Sequence, residues 1–344
     1  MEPFQESQAN EPQPQPHQAV HPRKPHTGAK VEKPRVLMLG GFGRSGSTVL
    51  ERCLAQCQGV EAMGEVLHLW ERGLRDNELC GCGNSFHECQ RWKDIGAKAF
   101  GSWSSVDTEQ VISDRWSIVR NRYLPWLSLQ RSSKTSSAQR TRLISSLNKL
   151  YRAAQQVTGA EVLVDSSKHP AYGYFLRSLD IELRCVLVVR DPRGVAFSWL
   201  KVIQRPETGA QAKEMPRYSI PSSMGNWMTY SLMFHALSLL KIPVLTVHYE
   251  DFMDSPATTI DRILEFVGLD AAEHRVAISP NKTVRLDAHH TVAGNPMRFK
   301  VGQIQLSTDE QWRAQMPRIQ RWTASIISAP LRLIYALNRR LRAS

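Results

Sequence analysis

The chain has 344 residues, of which 42% are hydrophobic and 22% are charged. This composition is typical of a globular protein with a sizeable core and excludes disorder as the main state, while the length permits one large domain or two. The net charge of +12 and the pI near 9.6 favour anionic partners, among which nucleotides, nucleic acid, acidic sugars and anionic lipid all stay open.

The two ends of the chain differ in composition from its middle. Residues 1–34 are rich in Pro, Gln and His and lack the apolar segment of a signal peptide, so we predict a disordered tail and a cytoplasmic location. A single folded domain is predicted over 35–321. Residues 322–344 place arginines beside an apolar face, which predicts a basic amphipathic helix that either packs on the domain or contacts an anionic membrane. No run of about 18 apolar residues occurs, so we expect no membrane-spanning helix.

Short apolar runs alternate with helical patterns through the middle of the chain. The runs predict buried strands at 36–41, 161–165, 183–191 and 243–250. The helical patterns lie at about 48–58, 107–131, 138–158, 170–179, 193–204, 222–241 and 256–267. This alternation predicts an α/β fold, a doubly wound parallel β-sheet flanked by helices, with a ligand site beyond the carboxyl ends of the strands.

A glycine-rich loop follows the first predicted strand and opens the first predicted helix. Its residues, Gly41 to Thr48, have the spacing of the P-loop G-x-x-x-x-G-K-[ST], except that Ser47 stands where the lysine belongs. Backbone N–H groups at such a helix start form an anion cradle. An enzyme that transfers the phosphate of ATP uses that lysine and Mg²⁺, so the loop predicts an anion site but disfavours a P-loop kinase, which stays a rival.

The loop resembles that of the sulfotransferase family, whose phosphosulfate motif has the form [RK]-S-G-[ST]-T. The match implies a P-loop-like sulfotransferase fold and a donor, 3′-phosphoadenosine 5′-phosphosulfate (PAPS), whose 5′-phosphosulfate is held by Arg44, Ser45, Gly46, Ser47 and Thr48. The family's 3′-phosphate motif has an arginine after a strand and a serine eight positions later on a helix. This spacing is present here and implies a 3′-phosphate site formed by Arg190 and Ser198.

Two weaker similarities extend this set. A family segment with a tyrosine beside the adenine resembles the sequence around Tyr249, although packing at a strand end would explain the same residue. A basic loop before the last helices resembles the family's cofactor-covering loop and makes Arg298 a second candidate for the 3′-phosphate, with a solvated loop as the alternative. For Arg190, the alternative is an ion pair with neighbouring Asp191.

Two residues are candidates for proton transfer and charge stabilisation. Glu65 resembles the base of the bacterial-type and tyrosylprotein-type branches that use glutamate, and partial burial is expected to raise its pKa into a useful range. The alternative for Glu65 is a role on the surface or in capping a helix. Lys168 resembles the family's lysine near the bridging oxygen, so the implied catalytic set is Glu65, Lys168 and Arg44. Asp165 is expected to cap the following loop or to orient Lys168, although a kinase would use it for Mg²⁺.

A cysteine-rich segment follows Glu65. Cys80, Cys82, His87 and Cys89 offer three thiols and an imidazole, but C-x-C is tighter than the usual zinc spacing C-x₂₋₄-C. Bacterial-type members of the family have a similar segment, so we expect a structural loop beside the acceptor and assign no metal ligands. Zinc binding, a disulfide and free thiols remain alternatives.

The resemblance implies transfer of the sulfuryl group to a hydroxyl, or less favourably an amine, of a saccharide, lipid or small molecule. We expect the acceptor pocket to come from 66–131 and 205–225, with tryptophans that stack on it or pack in the core, namely Trp70, Trp103, Trp116, Trp126 and Trp227. Nucleic acid is not expected as a partner. A non-catalytic binder of nucleic acid or anionic membrane is the rival from another class.

Overall fold

The computed structural model describes residues 33–129, 137–202 and 214–343, with side chains to residue 339. Residues 1–32 of the tail predicted over 1–34 lie outside these ranges, as do residues 130–131 and 205–213 of the expected acceptor segments. Five parallel strands form the central sheet: β1 Arg35–Gly40, β2 Val60–Gly64, β3 Val162–Lys168, β4 Glu182–Val189 and β5 Val244–His248. Two short antiparallel strands pair outside it: β6 Thr283–Leu286 and β7 Gly302–Gln305.

The strand order in the central sheet is β2-β3-β1-β4-β5. β1 therefore pairs with β3 on one side and with β4 on the other, and its carboxyl end is the topological switch point where ligands bind in such sheets. The parallel sheet and its four predicted strands are confirmed. β2 was not predicted, and it matters because it ends immediately before Glu65.

Helices cover both faces of the sheet. They are α1 Ser47–Leu54, α2 Gln90–Phe100, α3 Thr108–Ile118, α4 Leu124–Ser128, α5 Ser137–Thr158, α6 Pro170–Leu176, α7 Pro192–Leu200, α8 Ile220–Leu237, α9 Tyr249–Asp254, α10 Pro256–Phe266, α11 Ala271–His274, α12 Gln311–Gln315, α13 Arg318–Ile327 and α14 Ala329–Ala343. Short 3₁₀ turns lie at Val66–His68, Phe86–Glu88, Trp103–Ser105, Asn121–Tyr123, Ser238–Leu240 and Pro296–Phe299, and a π-helix spans Leu69–Arg75.

Alternate residues of β1 belong to two separate hydrophobic cores. Val36 and Met38 pack in one core with α5, α6 and α8, whereas Leu37 and Leu39 pack in the other with α1 and α10. Successive side chains of a strand point to opposite faces, so an apolar run with no polar alternation needs a layer of helices on each side. This arrangement confirms the doubly wound α/β prediction.

Two expected helices are divided. The pattern over 107–131 forms α3 and α4, separated by the turn at Asn121–Tyr123, because Pro125 lacks an N–H and starts a new helix. The expected helix over 322–344 begins earlier and is split at Ser328 into α13 and α14. Across the described ranges, no helix combines the length and the apolar character that spanning a bilayer requires.

Candidate functional site

The phosphate loop connects β1 to α1 at the switch point. Gly41 has φ +124°, and a Cβ there would lie 2.5 Å from the carbonyl oxygen of Val188, so the turn requires glycine. Gly46 has φ +88°, and the ring of Tyr249 packs 2.4 Å from the position its Cβ would take. Ser45 is buried, and its hydroxyl donates to the carbonyl of Phe42 at 2.7 Å. The loop is thereby fixed with the start of α1 facing outward.

A cleft of about 550 Å³ opens at the mouth of this loop. Most of the residues proposed from the sequence line it together: Arg44, Gly46, Ser47, Thr48, Glu65, Lys168, Arg190, Ser198 and Tyr249. The side chain of Ser45 is used inside the loop, and Arg298 does not line the cleft. Segments separated by up to about 200 residues of chain therefore converge on one surface, as expected for the carboxyl edge of a parallel sheet.

Glu65 and Lys168 form an ion pair inside the cleft. Glu65 Oε1 lies 2.5 Å from Lys168 Nζ, and both side chains are largely buried. The Nε2 atom of His68 is 3.9 Å from the other oxygen of Glu65. Burial on its own would raise the pKa of Glu65, but the charges of Lys168 and His68 and the hydrogen bond from Lys168 outweigh it and lower that pKa to about 2. The expected raised pKa is therefore wrong for this structure, in which Lys168 pairs with the carboxylate.

The backbone around this pair is tightly held. The N–H of Glu65 donates to the carbonyl of Val292 at 2.8 Å, which extends β2 beside a distant loop. The N–H of Leu67 donates to the hydroxyl of Ser167 at 3.0 Å and ties the segment that carries Glu65 to the segment that carries Lys168. Lys168 itself has φ +61°, a conformation that costs of order 1 kcal/mol or more for a residue with a side chain and is concentrated at functional sites.

Glu51, which the sequence analysis did not single out, lies beneath the pair. It is buried on α1, accepts from the N–H of Gly64 at 3.0 Å and accepts from the hydroxyl of Ser166 at 2.8 Å. It therefore holds the residue before Glu65 and a residue close to Lys168. Burial raises the pKa of Glu51 to about 7, although the charge of Lys168 opposes the shift. The sequence did not identify Glu51, because an amphipathic helical pattern does not show that this polar residue lies on the buried face.

Arg44 supplies a cation from the loop. Its backbone has φ +71°, and its guanidinium stacks on Trp199, 5.0 Å from the ring centroid. Burial lowers the pKa of Arg44, and the charge of Glu65 opposes that shift. Arg44 and Lys168 thus present two positive groups at the mouth of the phosphate loop.

Arg190 and Ser198 line the same cleft, as their spacing predicted. Arg190 is buried, and its Nη1 donates to the carbonyl of Arg44 at 3.2 Å. Its Nη2 donates to the carbonyl of Asp309 at 2.8 Å and lies 3.2 Å from that residue's carboxylate. The guanidinium also lies over Tyr249, 4.6 Å from the ring centroid. A buried guanidinium that faces a cleft and pairs with a half-exposed carboxylate is suited to exchange that partner for a phosphate.

Arg298 is corrected by the structure. It is buried, and its guanidinium donates to the carbonyls of Thr291 at 2.9 Å and Leu79 at 2.6 Å. It therefore joins two loops behind the cleft and cannot meet a ligand there without giving up these bonds. The basic composition of the loop did not reveal that this side chain points inward.

The structure also decides between alternatives for two aspartates. Asp165 is buried within β3, accepts from the N–H of Ser167 at 2.9 Å and accepts from the hydroxyl of Tyr151 at 2.6 Å, so its role is structural. Asp191 pairs with Arg193 at 2.5 Å. The main partner of Arg190 is therefore not its chain neighbour.

The remaining wall of the cleft is aromatic and apolar. Of the five tryptophans considered for the acceptor pocket, Trp116 lines the cleft, whereas Trp70 and Trp227 are core residues. His169 also lines it and was not assigned a role. Burial lowers the pKa of His169 to about 4, and its Nδ1 has no hydrogen-bond partner within the described ranges.

Comparison with known proteins identifies the family of this chain. A sequence model of the sulfotransferase family matches residues 35–273. The chain is similar to the sulfotransferase domain of the Synechococcus PCC 7002 olefin synthase, with 17% identity over 87% of this chain and 94% of that chain, at a TM-score of 0.44. It is also similar to the sulfotransferase domain of the curacin biosynthetic pathway, with 14% identity over 87% of this chain and 98% of that chain, at a TM-score of 0.45.

A sulfotransferase from Mycobacterium avium has 14% identity to this chain over 70% of it and 65% of its own length, at a TM-score of 0.34. These scores are below 0.5, so the family assignment depends on the sequence match. The matched residues span most of the chain and include the phosphate loop, Glu65, Lys168 and Arg190. The chain belongs to the sulfotransferase family.

Proposed function

We propose that this enzyme transfers the sulfuryl group of PAPS to a hydroxyl, or less favourably an amine, of an acceptor bound in the cleft. The observation that carries the proposal is the convergence of three features on one surface. These features are the phosphate loop, the Glu65–Lys168 pair, and Arg190 with Ser198. We propose that no catalytic metal takes part, because protein cations meet the charge of the transferring group.

The proposed donor position follows from the anion-binding groups. The start of α1 and the hydroxyls of Ser47 and Thr48 would receive the 5′-phosphosulfate. Arg190 and Ser198 would receive the 3′-phosphate, with Asp309 displaced from Arg190. The forked guanidinium of Arg190 suits the 3′-phosphate of PAPS. ATP has no 3′-phosphate and would leave this guanidinium without a phosphate partner.

The proposed reaction forms a bond from the acceptor oxygen to sulfur and breaks the bond from sulfur to the bridging phosphate oxygen. Glu65 takes the acceptor's proton, and Lys168 with Arg44 stabilises the negative charge on the departing phosphate. Glu65 is a weak base while it is paired with Lys168, because the pair lowers its pKa to about 2. When Lys168 is drawn to the anionic donor, burial of Glu65 would raise its pKa and make it a competent base.

The P-loop kinase is the weaker proposal. Ser47 replaces the lysine that such enzymes place at the β- and γ-phosphates. Asp165, the candidate Mg²⁺ ligand, is enclosed by Ser167 and Tyr151 and does not line the cleft.

The proposed acceptor is a hydroxyl-bearing saccharide, lipid or small molecule, with no nucleic-acid partner. The lining of the cleft also includes Trp116, Trp199 and Tyr230, whose rings suit an apolar or sugar surface. Arg44, Lys168 and Arg190 line the cleft, and this placement of positive charge favours a compact anionic ligand over a nucleic-acid strand.

We further propose that α13 and α14 contact an anionic membrane from the cytoplasmic side. Exposed apolar residues run along both helices: Ile319, Trp322, Ile326, Leu333, Ile334 and Leu337. Arg318 and Arg321 stand beside them, so the apolar surface and the positive charge suit an anionic bilayer. Sedimentation with anionic but not neutral vesicles, abolished by Trp322→Glu, would support this contact, and equal sedimentation with both would oppose it.

Calorimetry tests the proposed donor. Adenosine 3′,5′-bisphosphate should bind at least about tenfold more tightly than ATP with Mg²⁺, because only the former has a 3′-phosphate for Arg190. Tighter binding of ATP with Mg²⁺ would favour the kinase. If neither nucleotide bound and the protein shifted nucleic acid at about 200 mM salt, a non-catalytic binder would be favoured.

A further inference from the structure

The cysteine segment forms a tight hairpin on the side of the molecule behind Glu65. Leu79 and Ser85 form an antiparallel bridge, and the N–H of Cys80 donates to the carbonyl of Asn84 at 2.7 Å. Gly83 has φ +90° and donates to the carbonyl of Cys80 at 2.9 Å. This turn brings the thiols of Cys80 and Cys82 to the same side despite their C-x-C spacing.

The histidine beside these thiols is not the one in the segment. His290 reaches them from the loop between β6 and β7, and its Nδ1 lies 3.2 Å from the Sγ of Cys89. His87 points away, and its Nε2 lies 2.8 Å from the carbonyl of Leu74. In the zinc alternative that the sequence left open, the imidazole beside the thiols is therefore that of His290 and not that of His87.

Four donor atoms converge in this cluster. The sulfurs of Cys80, Cys82 and Cys89 and a ring nitrogen of His290 all lie within 4.8 Å of one another. In a tetrahedral zinc site with Zn–S bonds of about 2.3 Å, neighbouring sulfurs are about 3.8 Å apart. The donors thus need to move by only about 1 Å to close on one ion. All three cysteines are free thiols, so no disulfide competes for them in this arrangement.

The surroundings hold the donors in place. The indole N–H of Trp92 donates to the carbonyl of His290 at 2.9 Å, and the N–H of Gly81 donates to the carbonyl of Thr291 at 3.0 Å. Cys80 and Cys89 are buried. Bonds of this kind around a ligand set orient it and raise its affinity for metal.

We propose that Cys80, Cys82, Cys89 and His290 bind one structural Zn²⁺ ion. Three thiolates and one imidazole form a closed set with no open position for substrate, which is the pattern of structural sites. The ion would join the cysteine hairpin to the loop whose Val292 bonds to the N–H of Glu65. It would therefore stabilise the backbone that carries the proposed base without taking part in the reaction.

Metal analysis of the full chain, purified without chelator, tests this site. We expect about one zinc per chain in the wild type, loss of that zinc in Cys89→Ser and His290→Ala, and full retention in the matched control His87→Ala. The result does not depend on sulfotransferase activity, since metal content is the readout.

A second measurement covers the case in which the variants fail to fold. Co²⁺ added to metal-free wild-type protein should give the visible absorption of a tetrahedral site together with a thiolate-to-cobalt charge-transfer band. Wild-type protein that holds no stoichiometric zinc and gives no such spectrum would overturn the proposal. So would a disulfide between two of the three cysteines, or loss of zinc in His87→Ala with retention in His290→Ala.

Discussion

Glu51 provides a test of the buried network beneath the catalytic pair. Glu51→Gln keeps the shape of the side chain, its Oε1 can still accept from the N–H of Gly64, and its amide can donate to Ser166, as a protonated carboxyl would. The substitution therefore removes the titration of Glu51 while retaining both contacts. Any pH-dependent difference from the wild type reports the buried carboxyl.

The expected sign follows from the raised pKa. Burial raises the pKa of Glu51 from 4.5 in the unfolded chain to about 7 in the folded protein. Between these values the folded state binds more protons than the unfolded state, so the free energy of unfolding of the wild type falls as pH rises through this window. The difference between the two pKa values corresponds to about 3 kcal/mol, of which about 2–3 kcal/mol develops between about pH 5 and pH 8.

Urea unfolding of both proteins at about pH 5 and pH 8 measures this effect. Relative to the wild type, Glu51→Gln should gain about 2–3 kcal/mol of stability over that interval. Glu109→Gln, on the exposed side of α3, reports the general effect of removing one negative charge. A difference between Glu51→Gln and the wild type that does not change with pH would refute the idea that burial penalises the Glu51 carboxylate.

Three other outcomes are expected. Arg190→Ala should weaken binding of adenosine 3′,5′-bisphosphate at least about tenfold and barely affect adenosine 5′-phosphosulfate, as calorimetry would show, because a lost charged hydrogen bond costs about 1.5–3 kcal/mol. Lys168→Met should lower kcat by about 10² and raise the pKa of Glu65, seen as a shifted pH profile. Turnover should persist in excess EDTA, because protein cations meet the charge of the transferring group. The zinc content of the same sample would be measured to show whether EDTA removes the proposed structural ion. Equal losses of affinity for both nucleotides would contradict the role of Arg190, and an unchanged pH profile in Lys168→Met would contradict the role of Lys168. Loss of turnover in EDTA that Mg²⁺ restores would contradict the metal-independent reaction.

Local patterns predicted the parts of the structure that depend on neighbouring residues. The apolar run containing Leu37 and Met38 predicted a strand buried on both faces, and the helix start after Gly46 predicted an anion cradle. The motif that joins Arg190 and Ser198 also spans few residues: Arg190 directly follows β4, Ser198 lies on α7, and both line one cleft.

Contacts between segments that are far apart in the chain could not be predicted from the sequence. His290 meets Cys89 across 201 residues, and His87, although only two residues from Cys89, points elsewhere. Arg298 was assigned to a phosphate from the charge of its loop, whereas its direction depends on the carbonyl of Leu79, 219 residues away. The pKa of Glu65 was misjudged for the same reason, since burial was expected but the 2.5 Å contact with Lys168 was not.

Sulfuryl transfer itself is the most direct test of the central claim. The protein would be incubated in EDTA with ³⁵S-labelled PAPS and a cell extract, and label in acceptor products would be compared between the wild type and Glu65→Gln. The wild type should label at least one hydroxyl-bearing product, and Glu65→Gln should lower kcat by about 10²–10⁴ while its affinity for adenosine 3′,5′-bisphosphate stays within a few fold. Absence of label transfer by folded, nucleotide-binding wild type, or near-normal transfer by Glu65→Gln at all pH values, would contradict the account.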